Sequence, residues 1–566
     1  MSLRASRMLY LKGGNEMKAS IVNGFLHTDG RKMVNGNGER VILQGWGAGN
    51  WMNPEGYMFI GARVPMGDPN QFKSRDLVNP MRGDRGRTLD LAIRELCGSE
   101  YAKKFWQGWY RNHLTEADIA EMARWGYNSI RLPLDAAALL YEEPGITFNE
   151  DSFAVLDNIL DLCEKYGLYA ILDMHGTPGH SGSVCDNGID NVPRIFLEEE
   201  TFERMVILWE EIARRYQDRW IVGAYELLNE PLFPVWADLQ DKLAAFYDTV
   251  IERIRVFDKQ HMFILSGAMV GTDLRIFDRA FDPECNNWAY TFHGYHQVPD
   301  LPSFQNELEA SYRLNVPAWF GEGRESVDWM PVYYGMLAEQ EVGYNLFCWK
   351  SEGRSGMENG PVYYDFPEGW DVIADYMTRG GTRPSYAEAQ RLFDELLECI
   401  KFENCHVKEE MFRGSLSKQG ITLGGAGYDS TAGSFSGSKP TINPLKFRLA
   451  DGTKLVPADG LTVPPTMGVG MGVMRGPRLD PMKDLWLELS AGDFASYSVK
   501  DVVTNCPVVL TARAIGDAVL DVNGVEVKLS TGDQTVTALT LQPAESHTVR
   551  ITTKSGTVQI KSVEFK

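Results

Sequence analysis

A (β/α)8 TIM barrel followed by an all-β sandwich is the fold class that the 566-residue sequence predicts, on three observations. Short, β-rich apolar runs recur eight times between residues 41 and 349, many of them followed by stretches with one apolar helical face. Residues 413–440 then change character, with 15 of 28 positions Gly, Ser or Thr. Beyond them the apolar period falls to two, the period of a half-buried strand.

The first barrel strand is expected at Val41–Gly45, and an oversized insertion, Trp51–His113, precedes its helix. Thr115 with Asp118 three residues later reads as a capping box that opens this helix, which ends near Gly126. Further strands are expected at Ser129–Leu132, Tyr169–Met174, Gly223–Leu228, Met262–Leu265, Trp288–Phe292, Pro317–Gly321 and Gly343–Trp349. Between them, Phe202, Met205, Trp209, Ile212 and Tyr216 share one helical face, as do Trp236, Leu239, Leu243, Phe246 and Val250. A second insertion, Ser351–Thr382, follows the eighth strand. The division expected is a barrel domain over 17–412, a Gly/Ser-rich linker or irregular edge over 413–440, and a β-sandwich over 441–566. In the last, Asn523-Gly524 between two alternating runs is a strong hairpin signal.

Charge and composition narrow the function classes. The net charge of −21 argues against nucleic acid or an anionic membrane surface as partner. All of that excess lies upstream, because residues 441–566 carry 13 basic and 13 acidic side chains. The eight cysteines form no CxxC pair and read as buried thiols of a reducing compartment. The first twenty residues hold no apolar stretch of a secretory signal, which favours a cytoplasmic location over a secreted protein whose leader is missing.

In a barrel of this kind the chemistry sits just past the carboxyl ends of the strands. The polar or aromatic residues expected there are Arg131, His175, Asn229, Glu230, His293, Tyr295, Glu322 and Trp349. Glu230 and Glu322 are 92 positions apart, about three βα units of roughly 30 residues each. Taken singly, a carboxylate at a strand end is as often a helix cap or an ion-pair partner. Paired across a barrel mouth, two carboxylates are what glycoside hydrolysis requires: one protonates the leaving oxygen, and the other attacks the anomeric carbon or activates water.

Ser129-Ile130-Arg131-Leu132-Pro133, Asp173-Met174-His175, Asn229-Glu230-Pro231, His293-Gly294-Tyr295, Gly321-Glu322-Gly323 and Trp349, in that order, resemble glycoside hydrolase family 5 over about residues 20–400. The resemblance implies a retaining β-glycosidase acting on β-glucans or derived oligosaccharides, with Glu230 as acid/base and Glu322 as nucleophile. It implies that Asn229 binds the sugar 2-hydroxyl and that Arg131 and Tyr295 hold Glu322 ionised. It also implies that His175 and His293 orient the site and that Trp349 floors the sugar subsite. Trp46 is a second candidate for sugar stacking, with Trp51, Trp106 and Trp109 balanced between that role and core packing. Gly323-Arg324 departs from the Phe-Gly that many relatives carry after the nucleophile.

Within the enzyme reading, a mannan or another β-glycan is an alternative substrate. From another class, the rival is a non-catalytic carbohydrate-binding protein on the same scaffold, which the intact carboxylate pair disfavours. No His/Asp/Cys cluster has metal-ligand spacing and no Gly-rich loop opens a helix, so no metal or cofactor is expected. The tail (Gly492–Val499 and Val558–Phe565) loosely resembles family 6 and family 35 carbohydrate-binding modules. With a single tryptophan, it is expected to pack on the barrel more than to bind polysaccharide.

Overall fold

The computed structural model describes residues 21–61, 75, 83–183, 186–295, 298–324, 326–353, 360–432, 447–448, 451–461 and 480–566. Eight parallel strands close into a barrel: β1 (Gln44–Gly47), β2 (Ser129–Asp135), β3 (Tyr169–Gly176), β4 (Val222–Glu226), β5 (Met262–Ser266), β6 (Trp288–Tyr295), β7 (Ala318–Arg324) and β8 (Gly343–Phe347). Chain order is barrel order, and β8 pairs with β1 from Tyr344↔Gln44 to Phe347↔Gly47. All eight expected strands are present. The first begins three residues later than its apolar run, because Arg40–Val41 instead pairs with Lys32–Val34 in a separate three-stranded sheet.

The strands read as continuous apolar runs because both faces are covered, one by the barrel interior and the other by helices. β2 and β3 are buried at every position. The small N-terminal sheet lies at the amino end of the barrel, where the Tyr169 hydroxyl donates to the Gly24 carbonyl at 2.9 Å. The capping box forms as expected: Asp118 accepts the Thr115 N–H at 2.8 Å and the helix runs Glu116–Trp125 to a left-handed Gly126. Asp118 also accepts from Nε1 of Trp349 and pairs with Nζ of Lys350, both at 2.8 Å. One buried carboxylate thus ties a helix to the chain leaving β8.

The tail is antiparallel. Two long strands, Cys506–Val522 and Ala544–Phe565, pair with each other along most of their length, through several register shifts. The shorter strands pair along them, so the tail strands join in one hydrogen-bonded network around a core of their own. Asn523 and Gly524, both at positive φ, turn the hairpin between Val522 and Val525. The region expected as linker or irregular edge is no free linker where it is described. Arg413–Leu416 ends a helix, Thr422–Gly424 pairs with the last strand, and Ser430–Ala432 pairs with Phe494–Ala495–Ser496. Small residues are needed there for close approach: a Cβ on Gly425 would lie 1.8 Å from the Ile560 carbonyl oxygen. The Gly/Ser richness reflects backbone packing. Residues 433–440 and the expected domain start at residue 17 fall outside the described residues.

The tail is seated on the barrel. Val332, on the helix after β7, belongs to the tail's core, and Val298 and Met336 pack against it. The buried Arg448 lies 3.9 Å over the Tyr428 ring, and its N–H reaches Asp300 of the loop after β6 at 3.4 Å. Lys483 pairs with Asp328 at 3.0 Å. Trp486 is buried under Lys561, 4.0 Å from its ring, and so offers no open stacking face.

Candidate active site

The carboxyl ends of β2, β3, β4, β6 and β7 bring seven of the expected residues together. Arg131, fully buried on β2, is the hub. Its Nε donates to Glu226 at 2.6 Å, its Nη2 to Asn229 Oδ1 at 2.8 Å, and its Nη1 to Oε1 of Glu322. Asp173 stands 3.1 Å from Nη2. Burial disfavours the guanidinium cation, but the charges of Asp173, Glu226 and Glu322 outweigh it and raise the group well above its ordinary value.

Glu322 receives the most help. The Tyr295 hydroxyl donates to its Oε2 at 2.9 Å, and His293 Nδ1 lies 3.7 Å from the same oxygen. Burial pushes its carboxyl upward, yet His293, Arg131, His175 and Tyr295 together hold it well below the usual carboxylate range. Glu322 is therefore an ionised carboxylate in a nearly dry site. Glu230, on the loop after β4, is more open, with 14% of its side chain exposed against 6% for Glu322. His293 Nδ1 lies 2.7 Å from its Oε1, within hydrogen-bonding distance. The imidazole pKa is raised: burial would lower it, but the Glu322 charge and the Glu230 hydrogen bond prevail.

Below this pair, His175 Nδ1 faces Asp173 at 2.7 Å, and its Nε2 lies 3.3 Å from Asn229 Nδ2. Burial opposes the imidazolium, but Asp173 and Glu322 raise the ring to about 9. Arg131 fixes the Asn229 amide through Oδ1, while its Nδ2 faces His175 Nε2, which can accept that N–H only when the ring is neutral.

Two of the expected residues lie elsewhere. Trp349 is 1% exposed, stacks on Phe412 at 5.5 Å and donates to Asp118, placing it between the barrel and its helices. Trp46 is wholly buried in the same shell, edge-on to Tyr127, Trp349 and Phe412. On β1 the residue facing the barrel interior is Gly47, where an added Cβ would meet Phe347 and Asn345, so its neighbour Trp46 points outward. The aromatic that reaches the site from β8 is Phe347, parallel to His175 with centroids 6.1 Å apart. Trp51 and Trp109 are buried, and Trp106 is tied to Asp90. His180 accepts the Gly182 N–H at 2.8 Å, and burial lowers it to about 4. Asp186 is consumed by Thr177 and Ser181 within its own loop.

Sequence reasoning missed Glu226 and gave Asp173 no role. Both are charged residues inside otherwise apolar strands, and a buried charge needs a partner. The Gly321-Glu322-Gly323 departure has a steric basis. A Cβ on Gly321 would sit 2.2 Å from Thr291 Oγ1, and one on Gly323 would sit 2.2 Å from the Phe320 ring. Glu322 is flanked by two positions that tolerate no side chain.

One oxygen each of Glu230 and Glu322 and a nitrogen of His293 lie within 4.8 Å of one another, and these are the groups that could hold a metal ion among the described residues. Sequence spacing hides the trio because three different strands supply it. Here His293 Nδ1 is already paired with Glu230, and Glu322 already accepts from a guanidinium and a phenol.

Residues 92–322 match the family model of cellulase (glycosyl hydrolase family 5). This part of the chain is a family 5 domain. It holds both carboxylates and all five of their expected supporting residues, while Trp46, Phe347 and Trp349 lie outside it. The chain is 30% identical over 273 residues to a β-xylosidase of Phanerodontia chrysosporium, covering 48% of this chain and 52% of that protein. It is 32% identical over 187 residues to cellodextrinase A of Ruminococcus flavefaciens, covering 33% and 53%. The chain spans about half the length of these curated relatives. A β-mannanase structure from Thermomonospora fusca aligns with TM-score 0.39 and 16% identity, covering 65% of this chain and 99% of that one. Among the described residues, no helix beside the family 5 domain or within it is long and apolar enough to cross a membrane.

Proposed function

We propose that the protein is a retaining β-glycosidase that hydrolyses O-glycosidic bonds of β-glucans or their oligosaccharides by double displacement. The observation that carries this reading is the closeness of the carboxylates. An oxygen of Glu230 and one of Glu322 lie within 4.8 Å. So close an approach supports the shorter of the two carboxyl separations, about 5–5.5 Å, at which a carboxylate attacks directly.

Glu322, held ionised, attacks the anomeric carbon as Glu230 gives its proton to the departing oxygen. The glycosidic C–O bond breaks, and a covalent glycosyl ester forms on Glu322. Glu230, now a carboxylate, takes a proton from water, which attacks the same carbon and releases Glu322. Asn229, oriented by Arg131, supports a hydrogen bond to the sugar 2-hydroxyl. His293 joins the two carboxylates electrostatically, so that charge lost at Glu322 on attack is felt at Glu230. The test is the anomer first formed. Proton NMR of a β-glycoside digest should show the β-anomer before mutarotation, and initial α-anomer would overturn the assignment.

A further inference from the structure

The loops after β8, β1, β2 and β3, four neighbours on the barrel rim, are fastened to one another by buried hydrogen bonds. After β1 the chain makes a short helix, Gly56–Phe59. Its Met58 carbonyl accepts from the Tyr364 hydroxyl at 3.1 Å, and the Ile60 carbonyl accepts from Trp370 Nε1 at 3.0 Å. Both donors belong to the segment after β8. Glu55 bridges to Arg85, whose buried guanidinium reaches the Gly188 carbonyl at 3.1 Å and Asn191 at 2.8 Å in the loop after β3. Asn187 of that loop donates to Asp135 at the end of β2 and accepts the Arg87 N–H. Arg85, Asp135, Asn187 and Asn191 are each at most 6% exposed, so these ties are shielded from water and form a fixed wall.

The face of this wall stands beside the nucleophile. Phe347, Met58 and Cys348 form a small apolar cluster against which Tyr57 packs. Phe347 lies parallel to His175, with ring centroids 6.1 Å apart, so Tyr57 is seated on the ring that borders the site. The proton donor, Glu230, stands on the far side, on the loop after β4. A leaving group departs toward its proton donor, so the aglycone lies over β4 to β6. The sugar retained on Glu322 then lies against the wall.

We propose that this wall, through Tyr57 and Phe347, ends the glycone side of the cleft one sugar beyond the scissile bond, so that the protein removes single sugars from non-reducing chain ends. The proposal rests on the glycosidase reading above and adds to it the mode of attack. An open cleft would bind a polymer across both carboxylates and cut it internally.

The experiment uses the full chain with aryl β-glucoside, β-xyloside and β-mannoside, each as monoside and as the corresponding bioside. A hexasaccharide of the preferred sugar, labelled at its reducing end, completes the set. Free monosaccharide and labelled pentasaccharide should appear first, and aryl release from the bioside should lag behind sugar release. Labelled di- or trisaccharide appearing first, or intact disaccharide released from the bioside without a lag, would overturn the wall while leaving the glycosidase intact. If no aryl glycoside turns over, the glycosidase reading fails and the wall with it. Tyr57→Ala should raise the bioside-to-monoside ratio of kcat/KM about tenfold. An unchanged ratio in a folded variant would remove Tyr57 from the boundary, and the wild-type product pattern decides the matter if that variant does not fold.

Discussion

Tyr295 donates its hydroxyl to Oε2 of Glu322 at 2.9 Å, from a ring that is itself 36% exposed at the barrel mouth. The bond favours the ionised form of Glu322, so removing it must raise the pH at which the nucleophile loses its charge. The Glu322 pKa is depressed in the folded protein, and activity that depends on the anion is lost as pH falls through that value. Tyr295→Phe is expected to move the acid limb of kcat/KM upward by about one pH unit, since a hydrogen bond to a charged group contributes about 1.5–3 kcal/mol before solvent screening. The alkaline limb should stay in place. A pH–rate profile carried below the usual carboxylate range checks this, and an unmoved acid limb would mean that the bond is not formed in solution.

The two glutamates should fail in different ways. Glu322→Ala removes the atom that attacks carbon, so every substrate should lose turnover. Azide can then enter from the vacated side and give an α-glycosyl azide. The variant should remain folded, because Arg131 keeps Glu226 and Asp173 as partners. Glu230→Ala removes only the proton donor. Aryl glycosides with acidic leaving groups should still form the glycosyl ester, while unactivated oligosaccharides lose about 100-fold or more. Product NMR and a leaving-group series separate the two cases, and normal hydrolysis by both variants would show the carboxylates misassigned.

The seam between tail and barrel gives a stability prediction. Truncation after Leu416 would uncover Val332 and Met336, which now pack on the tail's core, and would leave Asp300 without the Arg448 N–H. Asp300 is mostly buried, and burial raises its carboxyl to about 6. Calorimetry is expected to show a lower Tm and light scattering an aggregating barrel. A truncated barrel with unchanged Tm and weakened polysaccharide binding would assign the tail to sugar binding instead.

The parts of this fold that are legible in the sequence share one property: their signal is local. Eight apolar runs mark eight strands because helices cover the barrel's outside. Thr115 and Asp118 mark a helix start because a capping box closes within one turn. Glu230 and Glu322 stand out because a carboxylate directly after an apolar run is conspicuous. What stayed hidden depends on partners far away in sequence. Glu226 makes sense only through Arg131, 95 positions earlier, and the Gly/Ser stretch only through the strand Ala544–Phe565 that it pairs with. Phe347 and Trp349 differ by two positions, and the path of the chain, not the residue type, decides which lies beside His175.

That last distinction supplies a clean test. Trp349 is placed as a structural side chain: its ring stacks on Phe412, and its indole N–H satisfies Asp118, the carboxylate that also caps Thr115 and pairs with Lys350. Trp349→Phe keeps an aromatic ring against Phe412 but leaves one acceptor site of a buried carboxylate without its donor, at a cost of about 1–3 kcal/mol. In a domain of this size that corresponds to a fall in Tm of several degrees. The site itself should not notice. KM for aryl glycosides and oligosaccharides should be unchanged, and kcat should stay within about twofold of the wild type, because no atom of Trp349 reaches the mouth. Phe347→Ala, which strips the ring lying parallel to His175, should instead raise KM by about tenfold, together with the loss of Tm that removing a buried ring brings. A tenfold rise in KM for Trp349→Phe at unchanged Tm would return that residue to the sugar-binding floor.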